Sequence, residues 1–184
     1  MHKSLIGIAL LSLVLTSCDK DQDPFLIQKQ NIGKVTDSTQ VKDLKLVFEN
    51  DSIVNYIGSD EFTRNINTID IYDTEGAALL SMSPNKRADS TAVFSSVRIL
   101  DPRFKTEKGI STASTFKDIL DAYEISKIDN LINSIVVSVD EINAAFTIDK
   151  KELPSNLRFD RNLNIEASQI PDNAKVKYFF IHWN

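Results

Sequence analysis

Ile66-Asn67-Thr68-Ile69-Asp70-Ile71 and Ile132-Asn133-Ser134-Ile135-Val136-Val137 are two versions of one hexapeptide, and their reading decides the fold. Ile69 and Ile71 alternate with polar neighbours, as do Ile135, Val137 and Val139, which is the period of a strand with one buried face. Asp73-Thr74-Glu75-Gly76 and Asp140-Glu141-Ile142-Asn143 follow as turns, and Leu80/Met82 and Phe146/Ile148 then mark return strands. Upstream, Gly33-Lys34-Val35-Thr36-Asp37-Ser38-Thr39 matches Gly109-Ile110-Ser111-Thr112-Ala113-Ser114-Thr115 without a gap. After a slip of one residue, Lys42-Asp43-Leu44 and Phe48-Glu49 answer to Lys117-Asp118-Ile119 and Tyr123-Glu124. Matches in the same order in both halves imply a tandem duplication of about 75 residues.

Each copy also predicts a helix. Thr39 and Thr115 are candidate N-caps, and Asp118 supplies a capping-box partner in the second copy. Val41, Leu44, Val47 and Phe48 then form one helical face, as do Phe116, Ile119, Leu120 and Tyr123. A third strand closes each copy, over residues 93–101 and 175–183, and Tyr56 with its neighbours can add a short strand to the first. The expected fold class is α+β, with two tandem helix-plus-three-strand antiparallel modules in two layers. The first module covers residues 32–104 and the second 105–184.

The amino end carries a different signal. Lys3 precedes an apolar run from Leu5 to Leu15, too short to span a bilayer and of the length of a secretory core. It ends in Leu15-Thr16-Ser17-Cys18, which resembles the lipobox of bacterial lipoproteins. That resemblance implies a signal peptide over 1–17 and a lipidated Cys18, palmitate included, opening a tether over 18–31. Cys18 is the only cysteine, so its acylation leaves no free thiol and no disulfide. Acyl chains contribute about 0.8 kcal/mol per buried CH₂, and several of them hold a protein on a membrane. Asp19-Lys20-Asp21-Gln22-Asp23 suggests a calcium loop, but Pro24 and Gln30 stand where its glycine and its bidentate glutamate belong. Acidic residues there also resemble the surface-export signal of Bacteroidetes lipoproteins. The expected location is the outer membrane, facing the periplasm or the cell surface.

Composition excludes several function classes. Removing residues 1–17 leaves 20 basic against 26 acidic residues, a net charge of −6, and no cluster suited to nucleic acid. Four glycines remain, too dispersed for a phosphate-binding loop, and His182 is the last histidine. No metal site, cofactor or catalytic residue is nominated. The enzyme alternative is a carboxylate-based hydrolase using Asp149, Glu152 or Asp160; a structural spacer is the third reading.

Two features point instead to a binding module for a protein or a cell-surface polysaccharide. Residues 150–174 form a long loop between strands, where the matching connection in the first copy takes about nine residues, and such loops are often functional. Its Leu157-Arg158-Phe159 mixes apolar and cationic groups, while Leu157, Phe159 and Ile165 could equally plug the sheet edge. The last strand is apolar at both parities. If Val176, Tyr178 and Phe180 face the helices, then Phe179 and Trp183 join Tyr72, Leu79, Arg98 and Leu100 on the opposite face. The expected contact surface is therefore Tyr72, Leu100, Arg158, Phe159, Phe179 and Trp183, unless the long loop or residues 25–32 cover it.

Together, the lipobox, Gly109-Ile110-x-x-x-Ser114-Thr115-Phe116-Lys117-Asp118-Ile119, the run from Phe146 to Pro154 and the aromatic last strand resemble a group of short, uncharacterised lipoproteins of Flavobacteria and their relatives. That resemblance carries no activity. In layout alone, a repeated helix-plus-sheet unit is similar to β-lactamase-inhibitor-protein repeats, which implies nothing about function.

Overall fold

The structure is a computed structural model that describes residues 23–57, 67–160 and 162–183. Cys18, the signal peptide and the start of the tether, residues 18–22, therefore lie outside the described residues. What is described is mainly β. Twelve strands form two sheets, and the two α-helices, α1 (Leu44–Val47) and α2 (Phe116–Ala122), have only four and seven residues. The α+β expectation of two helix-plus-three-strand modules is thereby corrected.

The physical reason lies at the helix ends. Phe48 and Tyr123, expected on the helical stripes, sit outside α-helical geometry and terminate the helices after one or two turns. Segments that short gain little from helical propagation, so sheet pairing dominates the backbone hydrogen bonding.

The larger sheet joins β4 (Ser52–Ile57), β5 (Asn67–Tyr72), β6 (Ala78–Pro84) and β7 (Phe94–Ile99) to β12 (Val176–His182), β11 (Ala144–Asp149), β10 (Ser134–Val139) and β9 (Lys127–Asn130), in that spatial order. All its pairings are antiparallel. It consists of two four-strand meanders that meet where β7 pairs with β12, with Ile99 opposite Phe179. The first meander includes β4, the short strand expected around Tyr56, and the second has one strand more than expected, because β9 (Lys127-Ile128-Asp129-Asn130) carries a single apolar residue. Gly76 and Asn143 take positive φ in the hairpin turns, where their left-handed geometry is needed.

One row of cross-strand neighbours runs Ile53, Ile71, Leu80, Ile99, Phe179, Phe146, Val137, Ile128 and lies on the core face. The adjacent row, Val54, Asp70, Ser81, Arg98, Phe180, Ala145, Ser138, Lys127, lies on the other face. A sheet covered on one side alternates in this way.

The cover on the core face comes from several short pieces. A four-stranded sheet holds β1 (Leu26–Ile27), β2 (Asn31–Ile32), β3 (Val35–Thr36) and β8 (Lys105–Thr106), with β1 and β8 parallel. Ile27, Ile32 and Val35 are buried in the common core, so part of the segment expected to be tether is structural. Leu44, Phe116, Ile119 and Phe104 fill in beside it, and the long loop contributes Leu153, Leu157, Ile165 and Ile170. That loop is folded around three short 3₁₀ turns, Lys150–Glu152, Ser155–Leu157 and Ala167–Gln169.

Capping is firm where α2 begins. Thr115 accepts from the Asp118 amide, and the Asp118 carboxylate accepts from the Thr115 amide at 2.7 Å. In the first half Gln40, not Thr39, occupies the equivalent cap, and Thr39 Oγ1 accepts instead from the Thr36 amide at 2.9 Å.

Candidate functional site

The aromatic last strand has the opposite phase to the one expected. Phe179 is fully buried and stacks on Phe146, with ring centroids 4.5 Å apart. Trp183 is 5 % exposed, and its indole Nε1 donates to the Lys29 carbonyl at 3.0 Å. Neither is a contact residue; both are core, and the 25–32 segment is what covers Trp183. Leu79 is likewise buried. The cause is a register shift between β11 and β12: Thr147 pairs with Tyr178 and Ile148 with Val176, so Lys177 is an extra residue. The bulge returns Lys177 to solvent although it shares sequence parity with the buried Phe179 and Ile181.

The other face of the sheet consequently presents Tyr178, Phe180 and His182. The Tyr178 and Phe180 rings meet edge to face at 6.4 Å, and Phe180 lies nearly parallel to His182 at 6.1 Å. Arg98, opposite Phe180, places its guanidinium carbon 4.2 Å from the Tyr178 ring centroid. Its Nε is out of water without a hydrogen-bond partner. Around this strip, Ser81 Oγ donates to the Asp70 carboxylate, and Ser83 and Ser96 pair across β6 and β7. Partial burial holds the His182 imidazole below its ordinary pKa. Tyr72 and Leu100, two of the expected contact residues, are half-buried at the end of β5 and just beyond β7.

Arg158 and Phe159 belong to a second locality. Phe159 is 87 % exposed and stands beside Ile132, 65 % exposed, in the turn between β9 and β10. Asn130 fixes the loop there by donating to the Asp160 and Leu163 carbonyls at 3.0 and 2.9 Å. Arg158 is half-buried, with Nε donating to the Leu153 carbonyl at 2.7 Å. Between them opens a cleft of about 750 Å³ lined by Lys150, Lys151, Arg158, Lys177, Asp149 and Asn133 along with Ile132 and Phe159. The Asp149 carboxylate accepts from the Lys151 amide and from Lys177 Nζ, and both bonds hold its pKa below the usual carboxylate range.

The six expected contact residues therefore divide three ways. Phe179 and Trp183 are core, Tyr72 and Leu100 flank the open face, and Arg158 and Phe159 sit at the loop tip. Sequence reasoning placed Arg98 on the face opposite the helices without naming it a contact, and missed Tyr178 and Phe180 there, and Lys150, Lys177 and Ile132 at the tip. Arg98 was the available signal: a charged residue in β7 marks the face its cross-strand partner must share. Among the described residues, no group of three or more His, Cys, Asp or Glu side chains could hold a metal ion.

No protein-family model matches the chain, and no curated protein matches it. Among solved structures, it is similar to the uncharacterized protein yfeY from Escherichia coli. The two share 12 % identity with a TM-score of 0.54, over 85 % of this chain and 98 % of that one. At that identity the likeness concerns the fold alone.

Proposed function

We propose that this chain is an envelope lipoprotein, held by acyl chains on Cys18, whose open sheet face binds a protein or a cell-surface polymer. The observation that carries the binding role is the strip of Arg98, Tyr178, Phe180 and His182 on that face. Aromatics and arginine are the side chains enriched where proteins make contact. An arginine stacked on tyrosine, with a desolvated Nε still lacking an acceptor, is prepared for an incoming polar group. The serines and Asp70 beside it offer hydrogen bonds to a hydroxyl-rich or peptide partner. The hydrolase alternative is less well supported, since Asp149 is held ionised by Lys151 and Lys177 and is a poor proton donor.

Two experiments test the two halves of this reading. Metabolic labelling with a clickable fatty acid marks the wild type and not Cys18→Ala; label retained on the variant refutes the anchor. Affinity capture from the native envelope retains a partner with the wild type and loses it with Phe180→Ser and Tyr178→Ser. Unchanged capture by both folded variants refutes the binding face.

A further inference from the structure

The loop tip adjoins the open face through Lys177, whose Nζ lies 5.5 Å from the Tyr178 ring centroid, and carries chemistry of its own. Four cationic side chains, Lys150, Lys151, Arg158 and Lys177, line one cleft with a single carboxylate, on a chain whose overall charge is negative. Lys177 is paired to Asp149 at 2.9 Å. Lys150 is 4 % exposed, and its ammonium has no hydrogen-bond partner. Leaving an ammonium in that state is unfavourable unless an anion joins it. Beside the cleft, Phe159 and Ile132 project furthest into solvent, with Leu131 of the same turn also exposed. Nothing in the fold requires either exposure, because Leu153, Leu157 and Ile165 already seal the loop to the core.

The position of the tip selects its partner. β7 and β12 run antiparallel with Ile99 opposite Phe179, so the carboxyl end of β7 and the Lys177 end of β12 lie at one end of the sheet. The described chain begins at that same end. Lys105, just beyond β7, donates its amide to the Phe25 carbonyl, and the Phe25 ring packs on Phe104 at 5.0 Å. Cys18 is seven residues before Phe25. An acyl chain there brings a bilayer to the end of the sheet that carries the cationic cleft and its apolar points.

We propose that this tip is a second membrane contact, docking on an anionic lipid surface. Phosphate of a headgroup enters the cleft of Lys150, Lys151, Arg158 and Lys177, and Phe159 and Ile132 enter the boundary between headgroups and acyl chains. The proposal rests on the anchored reading of Cys18 given above. An acyl anchor with a basic patch is a two-signal attachment; the anchor supplies residence and the patch supplies orientation.

The test uses the lipidated chain with Phe159→Cys, labelled with an environment-sensitive dye, in vesicles of phosphatidylcholine alone or mixed with phosphatidylglycerol. Acylation blocks Cys18, so mass spectrometry finds one dye per chain; two dyes would report failure of the anchor separately. The dye at 159 brightens and shifts to the blue in the phosphatidylglycerol mixture, whereas a dye at Leu46→Cys, an exposed site on α1, does not. Lys151→Gln and Lys177→Gln each lower the ratio of docked to undocked protein about five-fold, the contribution of one basic side chain near such a surface. A dye at 159 that stays dark in both vesicles overturns the proposal. So does an equal response in phosphatidylcholine alone, or a response only to soluble polygalacturonate, which would make the cleft a site for acidic polymers.

Discussion

The Trp183 indole donates to the carbonyl of Lys29 across 154 residues of sequence, so the end of the last strand and the segment around Lys29 hold each other in place. Trp183→Ala removes a large buried ring as well as that bond, and about 3–5 kcal/mol of stability is expected to go with them. Trp183→Phe keeps most of the apolar volume and strands the carbonyl, at a cost of about 1–2 kcal/mol. Urea unfolding of the two variants separates the terms. Wild-type stability in both would show that residues 26–32 do not belong to the cooperative core.

Arg103 ties two carboxylates together, with Asp73 Oδ2 at 2.7 Å and Asp101 Oδ2 at 2.8 Å. Asp101 is buried, and its hydrogen bonds from Arg103 hold its pKa below the usual carboxylate range. The stabilisation is complete above the ordinary carboxylate pKa of 3.8 and is lost as pH falls through the lower folded value. Asp101→Asn should therefore be less stable than the wild type at neutral pH, with the gap closing below about pH 4. Denaturant midpoints followed against pH check this; a gap independent of pH would mean the carboxylate's charge contributes nothing.

Gly33 and Gly76 make a matched pair for backbone strain. Both have positive φ, +54° and +84°. A Cβ on Gly33 would run into the carbonyl of Pro24, backbone that cannot swing away, whereas one on Gly76 meets nothing within 4 Å. Gly76→Ala is expected to cost about 1 kcal/mol, the penalty for a left-handed alanine alone. Gly33→Ala should cost several times more, because the strand at Leu26–Ile27 has to shift. Equal midpoints for the two variants in thermal melts would contradict the close approach at Pro24.

How much of this was legible beforehand follows from the same residues. Ile69 and Ile135 were expected in equivalent strands, and each lies on the core face of the second strand of its meander, paired with Met82 and Ile148. The turns at Asp73 and Asp140 are where their residues placed them. The Val41 amide donates to Ala92 and the Phe116 amide to Ala174, so each helical segment is tied at its start to the loop before a late strand. What stayed hidden had local causes. Strand β9 is an edge strand, only partly buried, so its sequence lacks strong alternation. The short pair Leu26–Ile27 acquires strand geometry partly from Lys105–Thr106, a partner distant in sequence. The cationic cleft depends on a loop folding back beside Ile132, which no local pattern encodes.

Phe179 and Phe180 are neighbours in β12 and point to opposite faces of the sheet, and they provide the sharpest check on the face assignment. Phe179 touches Phe146 and Ile99 in a sealed core, whereas Phe180 is half-exposed beside Arg98 and Ala145. Truncating a sealed aromatic loses both transfer energy and packing, so Phe179→Ala should cost about 3–5 kcal/mol. Truncating Phe180 loses part of the transfer energy and leaves no cavity, so about 1 kcal/mol is expected. Phe180→Ala should also leave the near-ultraviolet circular dichroism of Trp183 intact, because that indole is buried on the other side of the sheet. Phe179→Ala should alter it. If the two variants instead exchanged their costs, Tyr178 and Phe180 would be the core residues, and the aromatic strip would no longer be available to any partner.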